Sequence, residues 1–238
     1  MARRTKEEAQ ETRHHILDTA EQVFLEKGVS RTSLADIAGA AGLTRGAIYW
    51  HFKNKADLFQ AMMDRVVLPM ELLARTGGGP DTEDPLALVR DSALSVLDQI
   101  TRDPQCQRVF EICCHKVEYV DEMLQLRERH IDCRGEFLGH IERGLRNAAK
   151  KGLLAAAVNP RHAAIGLHAL VDGLIMNWLL DPSYFPLARA AKPLIDSYID
   201  GLRTRAAVAP HRPRVRTPAR QPVTTSATVQ RRRRISRP

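Results

Sequence analysis

Apolar residues return every three or four positions along most of the chain, and that spacing predicts helices. Ile16, Ala20, Val23 and Phe24 share one face of a helix over residues 12–27, and Gly28 stops it. After the connector Val29-Ser30-Arg31, Thr32 or Ser33 caps a second helix over 34–41. Gly42 breaks that helix, Leu43 turns back into the core, and Thr44 caps a third helix ending near His51 and Phe52. Lys53-Asn54-Lys55 is a polar joint, and Asn54 caps a longer helix carrying Leu58, Phe59, Met62, Val66 and Leu72. Further helices are expected over 85–102, 104–115, 120–151, 160–181 and 187–205. Pro85, Pro104, Pro160 and Pro186 stand at their starts and Gly152 at a stop. No strand-like alternation interrupts this pattern, so the expected fold class is all-α.

Gly77-Gly78-Gly79-Pro80 is the clearest break. It lacks the G-K-[ST] ending and the preceding strand of a phosphate-cradling loop, and reads as a flexible connector. After about Arg205 the chain becomes a tail of Arg, Pro, Thr and Ala that cannot bury a core and is expected to be disordered. The expected organisation is therefore a small unit over 1–55, a larger helical domain over 56–205, and a tail over 206–238.

Composition narrows the class. With 238 residues, 44% of them hydrophobic, the chain can bury a substantial core. No apolar run reaches the roughly 18 residues of a membrane span. The opening MARRTKEEAQETR is charged and lacks the apolar centre of a signal peptide. A soluble, cytoplasmic protein without a membrane partner is expected. Cys106, Cys113, Cys114 and Cys133 form neither a C-x-x-C pair nor a zinc-ligand spacing. They read as reduced, mostly buried thiols, with a redox switch at Cys113 and Cys114 as the alternative.

The net charge of +8 has to be located before it is used. From Gly201 onward there are eleven arginines and no acidic residue, leaving 25 basic against 28 acidic residues in the body. Residues 1–55 carry +2 and residues 56–200 carry −5. The basicity belongs to the tail and says nothing about whether the body binds nucleic acid.

The local pattern over residues 33–52 does speak to that. Two short capped helices joined by a glycine turn are helix-turn-helix geometry. Ala38 is small where the helices cross, and Gly42 suits a turn that needs positive φ. Ile37, Leu43, Ile48 and Phe52 form an apolar lock, which leaves Arg45, Gly46, Tyr49 and Trp50 facing outward. Exposed aromatics are costly unless they contact something. Arg45 suits the major groove, because its fork matches two acceptors on guanine. Thr44 brings a helix N-terminus towards phosphate, while Tyr49 and His51 can donate to phosphates and Lys55 can add a charge contact. Thr32 and Ser33, at the start of the motif, complete the expected DNA-facing set.

At these residues the chain resembles the TetR family of bacterial repressors. Thr44-Arg-Gly-Ala-Ile-Tyr-Trp-His-Phe52, followed by Lys53-Asn-Lys-Ala-Asp-Leu58, matches the family's recognition helix and the start of helix four. Arg3-Arg4-Thr-Lys-Glu-Glu-Ala-Gln-Glu-Thr-Arg13 looks like the multidrug-efflux repressors of the AcrR and TtgR type. Weaker similarity runs through Glu111-Ile112, His115-Lys116, Glu118, Val171-Asp-Gly-Leu174 and Trp178-Leu-Leu180, so the resemblance covers about residues 3–205 and leaves out the tail.

The resemblance implies an N-terminal helix-turn-helix DNA-binding domain and a C-terminal helical domain for ligand binding and dimerisation. It implies a lipophilic small-molecule inducer in a mainly apolar cavity. The lining positions carried over are Val66, Val89, Val96, Phe110, Cys114, Phe137, Ile141, Val171, Asp172 and Ile175, with His168 four residues before Asp172. His168 and Asp172 either orient a polar group of the ligand or pair with each other or their neighbours. Helices 160–181 and 187–205 would form a homodimer interface. Leu167, Leu170, Leu174 and Trp178, with Leu194, Ile195, Tyr198 and Leu202, offer apolar stripes longer than one subunit readily covers, and some of them must instead pack inside it. A symmetric dimer implies a roughly palindromic double-stranded operator.

Two other classes compete. An enzyme would need a motif such as G-x-S-x-G, a Walker loop or H-E-x-x-H, and the sequence has none of these, so no catalytic residue, cofactor or metal is assigned. A DNA-coating protein driven by the arginine tail would bind without sequence preference and with steep salt sensitivity. Control of a gene other than an efflux operon is the alternative within the same biochemical class.

Overall fold

The computed structural model describes residues 6–75, 82–120 and 123–203, with side chains throughout except over 67–75. The expectations for Leu72, for the segment around Gly77 to Pro80 and for the tail lie outside the described residues. Among those described are nine helices: α1 Lys6–Lys27, α2 Leu34–Ala40, α3 Arg45–His51, α4 Lys55–Arg75, α5 Pro85–Arg102, α6 Pro104–His115, α7 Leu124–Lys150, α8 Pro160–Leu180 and α9 Leu187–Leu202. The fold is all-α, and the β geometry among the described residues is an isolated bridge between Leu154 and Arg203.

The stops and starts follow local chemistry. Gly28, Gly42 and Gly152 take positive φ, at 80°, 67° and 70°. Asp84, Asp103 and Asn159 accept from the first amides of α5, α6 and α8, each just before the proline that opens the helix. Asn54 accepts from the Asp57 amide at 2.8 Å, and the Asp57 carboxylate accepts from the Lys53 amide at 3.0 Å. Three boundaries differ from expectation by more than a residue, and one of them is the end of α9, at Leu202 rather than 205, with Arg203 capping it in extended conformation. α1 begins six residues earlier, at Lys6 rather than 12, because its first turns are built from Lys, Glu, Ala and Gln. These residues favour helix without any apolar periodicity to reveal it, and the Thr12 hydroxyl donates back to the Glu8 carbonyl at 2.8 Å. α7 begins at Leu124 rather than 120, and the Met123 amide before it donates to the Val120 carbonyl at 2.9 Å.

One apolar core runs through the described helices. Phe24, Ile37, Ile48, Phe52, Phe59 and Met62 fill its N-terminal part; Leu86, Leu97, Ile100, Ile112, Leu167 and Ile195 fill the remainder. α1 packs on α2, α4 and α6, and α6 also packs on α5 and α8, so α6 lies between the N-terminal helices and α8. α8 corrects one expectation: by length and composition it could cross a membrane, with a mean hydropathy of 1.5 over 18 residues, yet only 28% of that window is buried. Ile165, Ala169, Met176 and Leu180 form an exposed stripe along it, joined by the exposed Leu194 of α9. Leu167, Ile195 and Ile199 instead pack inside the subunit.

Small residues permit the close helix crossings. A Cβ at Gly144 would lie 2.5 Å from Cγ2 of Val89, and one at Gly166 would lie 2.3 Å from the Tyr198 hydroxyl. That hydroxyl donates to the Ala163 carbonyl at 2.8 Å, tying α9 to α8. Gly166→Ala is therefore expected to destabilise the fold by about 1–2 kcal/mol, overpacking and a lost hydrogen bond outweighing the helix propensity of alanine. Urea unfolding checks it: Gly166→Ala combined with Tyr198→Phe should recover part of the loss, and a single variant as stable as wild type would contradict the crossing.

Candidate nucleic-acid interface

The turn between α2 and α3 is fixed by three local devices. Ser33 caps α2 in a reciprocal box: its hydroxyl accepts from the Asp36 amide at 3.2 Å, while the Asp36 carboxylate accepts from the Ser33 amide at 2.8 Å. The hydrogen bonds from the Ser33 side chain and backbone, with Lys27 adding a smaller attraction, hold the Asp36 carboxyl below its ordinary range. At the other end the Leu43 amide donates to the Ala38 carbonyl at 2.8 Å and the Gly42 amide to the Gly39 carbonyl at 3.2 Å. This is a Schellman closure, which needs the left-handed residue that Gly42 supplies and folds Leu43 back onto the core. Thr44 then accepts from the Ala47 amide at 3.2 Å and starts α3.

Ile37, Ala38, Ile48 and Phe52 are buried and Leu43 partly so, as the sequence pattern requires. Arg13 of α1 covers the Phe52 ring at 4.8 Å, and His15 approaches the Ala41 carbonyl at 3.1 Å, pinning the turn to α1. Neither α1 contact was anticipated, since both span more than 25 residues of sequence. On the opposite side Arg45, Gly46, Tyr49 and Trp50 face solvent, Tyr49 at 46% and Trp50 at 73% exposure. The Arg45 guanidinium stands 5.7 Å over the Tyr49 ring, and Trp50 meets the half-buried His51 edge-on at 4.6 Å. A Cβ at Gly46 would find only the Thr44 hydroxyl, at 4.0 Å, so the backbone there is open to close approach.

Two members of the expected set turn inward. Thr32 is buried and its hydroxyl donates to the Gly28 carbonyl at 2.8 Å. Lys55 is also buried, and its ammonium donates to the carbonyls of Val29 at 2.9 Å and Ser30 at 3.4 Å. Those carbonyls follow a helix end and lack helical partners, so the nearest cation is recruited to them rather than to an outside phosphate. Ser33 remains exposed, with its hydroxyl engaged by Asp36.

The positions proposed for an effector fall on α4 to α8. Val66, Val89 and Ile175 are buried, and Val89 is spent on the crossing with Gly144. Val96, Phe110, Cys114, Phe137, Ile141 and Val171 are half-buried against the core. His168 Nδ1 stands 3.0 Å from the Asp172 carboxylate, so these two pair with each other. Sequence reasoning missed their neighbours. The Tyr119 hydroxyl lies 3.4 Å from His130 Nδ1, and burial, followed by Arg134, pushes the His130 pKa down while Asp172 opposes it. Burial, aided by the Asp172 charge, pushes the Cys114 thiol up to about 11. No spacing in the sequence joins residues 119, 130, 114 and 172, which come from a connector and three helices. Two grooves lie elsewhere: one of about 310 Å³ lined by residues of α1 and α4, and one of about 350 Å³ between α5 and α9.

Burial disfavours the thiolate form of Cys106, Cys113 and Cys114. Burial raises Cys106 to about 12, and burial beside Cys114 raises Cys113 further still. Raising a thiol from 9.0 to about 11 lowers its thiolate fraction near pH 8 by about 100-fold. Iodoacetamide at pH 8 should thus alkylate Cys106, Cys113 and Cys114 at least 100-fold more slowly in the native protein than in urea. Labelling of Cys114 at the unfolded rate would revive a redox role.

Comparison with known proteins follows the same division. The family described as bacterial regulatory proteins, tetR family, matches residues 16–62, and the MAATS-type transcriptional repressor C-terminal region matches residues 84–204. The HTH-type transcriptional regulator TtgR of Pseudomonas putida is 42% identical over 212 residues, covering 87% of this chain and 99% of the relative. The structure of NalD, the secondary repressor of the MexAB-OprM multidrug efflux pump in Pseudomonas aeruginosa, is similar with a TM-score of 0.75 and 38% identity, over 83% of this chain and 98% of its own. SmeT of Stenotrophomonas maltophilia in complex with triclosan gives a TM-score of 0.73 and 30% identity, over 90% of this chain and 99% of its own.

Proposed function

Since the chain belongs to the TetR family of bacterial transcriptional regulators, we propose that it represses a multidrug efflux operon and leaves its operator when a lipophilic compound binds the C-terminal helices. The observation that carries this reading is the outward face of α3. Arg45, Tyr49 and Trp50 stand exposed on a short helix whose other side is locked into the core. Arg45 reads guanine in the major groove, Tyr49 and His51 hold phosphates, Trp50 contacts the duplex beside them, and Thr44 and Gly46 let the backbone approach. Ser33 flanks the duplex at the start of α2. Thr32 and Lys55 act from behind, by fixing the loop after α1.

A homodimer supplies the second reading helix. The exposed stripe of Ile165, Ala169, Met176 and Leu180, on a helix apolar enough to cross a membrane yet only partly covered, favours α8 and α9 as the interface. Two copies about a two-fold axis place their α3 helices about one DNA turn, or a small multiple, apart on a roughly palindromic site. The effector is a lipophilic compound of the kind that triclosan, bound by SmeT, exemplifies. Its apolar contacts come from Val66, Val96, Phe110, Phe137, Ile141, Val171 and Ile175, with polar contacts near Cys114 and the His168–Asp172 pair. Binding shifts the dimer to a state whose α3 spacing no longer fits the site. The protein acts in the bacterial cytoplasm.

A duplex enriched from a random library by the wild-type protein provides the test. Arg45→Ala and Tyr49→Ala should each weaken specific binding in a mobility-shift assay by roughly 10- to 100-fold. The far-UV spectrum and the dimer, measured by light scattering, should not change. Full-affinity binding by both variants would remove α3 as the reading helix.

A further inference from the structure

Glu21 is the feature that the DNA-reading face leaves unexplained. It sits in mid-α1, fully buried, on the same face as Leu17 and Phe24. Its carboxylate is ringed by two other helices. From α6, the Gln105 amide donates to one oxygen at 2.9 Å, and Arg108 donates to the other from Nε at 3.3 Å and Nη2 at 3.2 Å. From α4, Arg65 approaches at 3.5 Å while holding Asp18 of α1 at 2.7 Å. The preceding residue on α4, Asp64, is held by Arg129 of α7 at 2.6 Å.

The other end of α6 is also tied to the head. The Lys116 carbonyl, just past α6, accepts from the Val29 amide at 2.9 Å, and the Val29 carbonyl accepts from Lys55 at 2.9 Å. On its other face α6 carries Phe110, Cys113 and Cys114, and His115 Nε2 lies 3.1 Å from the Met176 carbonyl of α8. So α6 touches the head through polar bonds at both ends and the C-terminal helices along its opposite side. A buried charge is a poor way to add stability, because an apolar side chain of similar size commonly does as well. In some proteins a charge held by oriented partners instead selects one allowed register.

We infer that Glu21 is the positioning residue through which α6 sets the orientation of the reading head. A displacement of α6 by a ligand reaches α1 and α4 through the Arg108–Glu21–Arg65 bridge, and His15 with Arg13 carries it to the α2–α3 turn and Phe52. By linkage the coupling runs both ways, so operator binding to the head must change the behaviour of α6. That reciprocity allows a test without any effector. The inference rests on the operator-binding reading above.

The experiment is amide hydrogen exchange on the full-length protein, with and without the duplex selected by wild type, at saturating DNA. Wild type should show slowed exchange in α1 to α3 and, beyond the contact, at least about fivefold slower exchange in α6. In Glu21→Gln, which keeps the shape and removes the charge, the α6 change should fall below about twofold while α1 to α3 remain protected. Loss of sequence-specific binding by folded Glu21→Gln would support the inference too, since residue 21 is buried away from the duplex. Arg108→Met, which leaves Glu21 its Arg65 and Gln105 partners, carries the test if Glu21→Gln does not fold. Wild-type transmission to α6 in folded Glu21→Gln or Arg108→Met overturns the inference and leaves the operator reading intact. Failure of wild type to select any duplex overturns the operator reading, and the inference with it.

Discussion

A helix of seven residues has room for one buried stripe, and α3 spends it on Ile48, with Phe52 at its cap. Burial of these two side chains stabilises by about 1.5–3 kcal/mol each, more than the roughly 1 kcal/mol that each cap contributes. The 3.6-residue period then leaves Arg45, Tyr49 and Trp50 no place except solvent. Everything around the helix serves to hold that stripe in place. The Schellman turn at Gly42 sets the angle between α2 and α3, Leu43 and Ala38 close the seam, and Arg13 of α1 covers Phe52. An exposed tryptophan beside an arginine stacked on tyrosine follows from the packing, and under the proposed function it would offer a duplex aromatic surface and a guanidinium fork together.

The same logic of faces organises the C-terminal helices. α6 turns polar groups to Glu21 of α1 and apolar ones to the core, and α8 buries Leu167 and Ile175 while leaving Ile165, Met176 and Leu180 exposed. Electrostatics separates roles too. Basic charge in the sequence concentrates after Gly201, with ten of the eleven arginines there beyond the family match that ends at 204, whereas residues 56–200 are acidic. Under the proposed function the reading head would work with a few placed cations instead of a basic field, which favours specificity over general adhesion.

Where local chemistry decides structure, the chain could be read directly. Ser33, Gly42 and Thr44 announce α2 and α3 because capping and left-handed turns are matters of one to four residues. Asp-Pro and Asn-Pro pairs mark α5, α6 and α8 for the same reason. Partners distant in sequence decide the rest. Lys55 looks like a phosphate contact until the loop carbonyls of Val29 and Ser30 come within its reach. Thr32 likewise serves Gly28. Glu21 left a faint trace, an acid at the core spacing of Leu17 and Phe24, but nothing in one chain names Arg108 and Gln105 as its partners. The grouping of Tyr119, His130, Cys114 and Asp172 left no trace at all, since it exists only when three helices and a connector converge.

The central claim is that two α3 helices enter successive major grooves with Arg45 at the base edges. Dimethyl sulfate footprinting on a duplex selected by the wild-type protein measures this at the guanine N7 atom, which lies in the major groove. The account predicts protected guanines in two inverted half-sites, centred about one helical turn or a small multiple apart. Protection spread evenly along the duplex, or confined to one half-site, would contradict it.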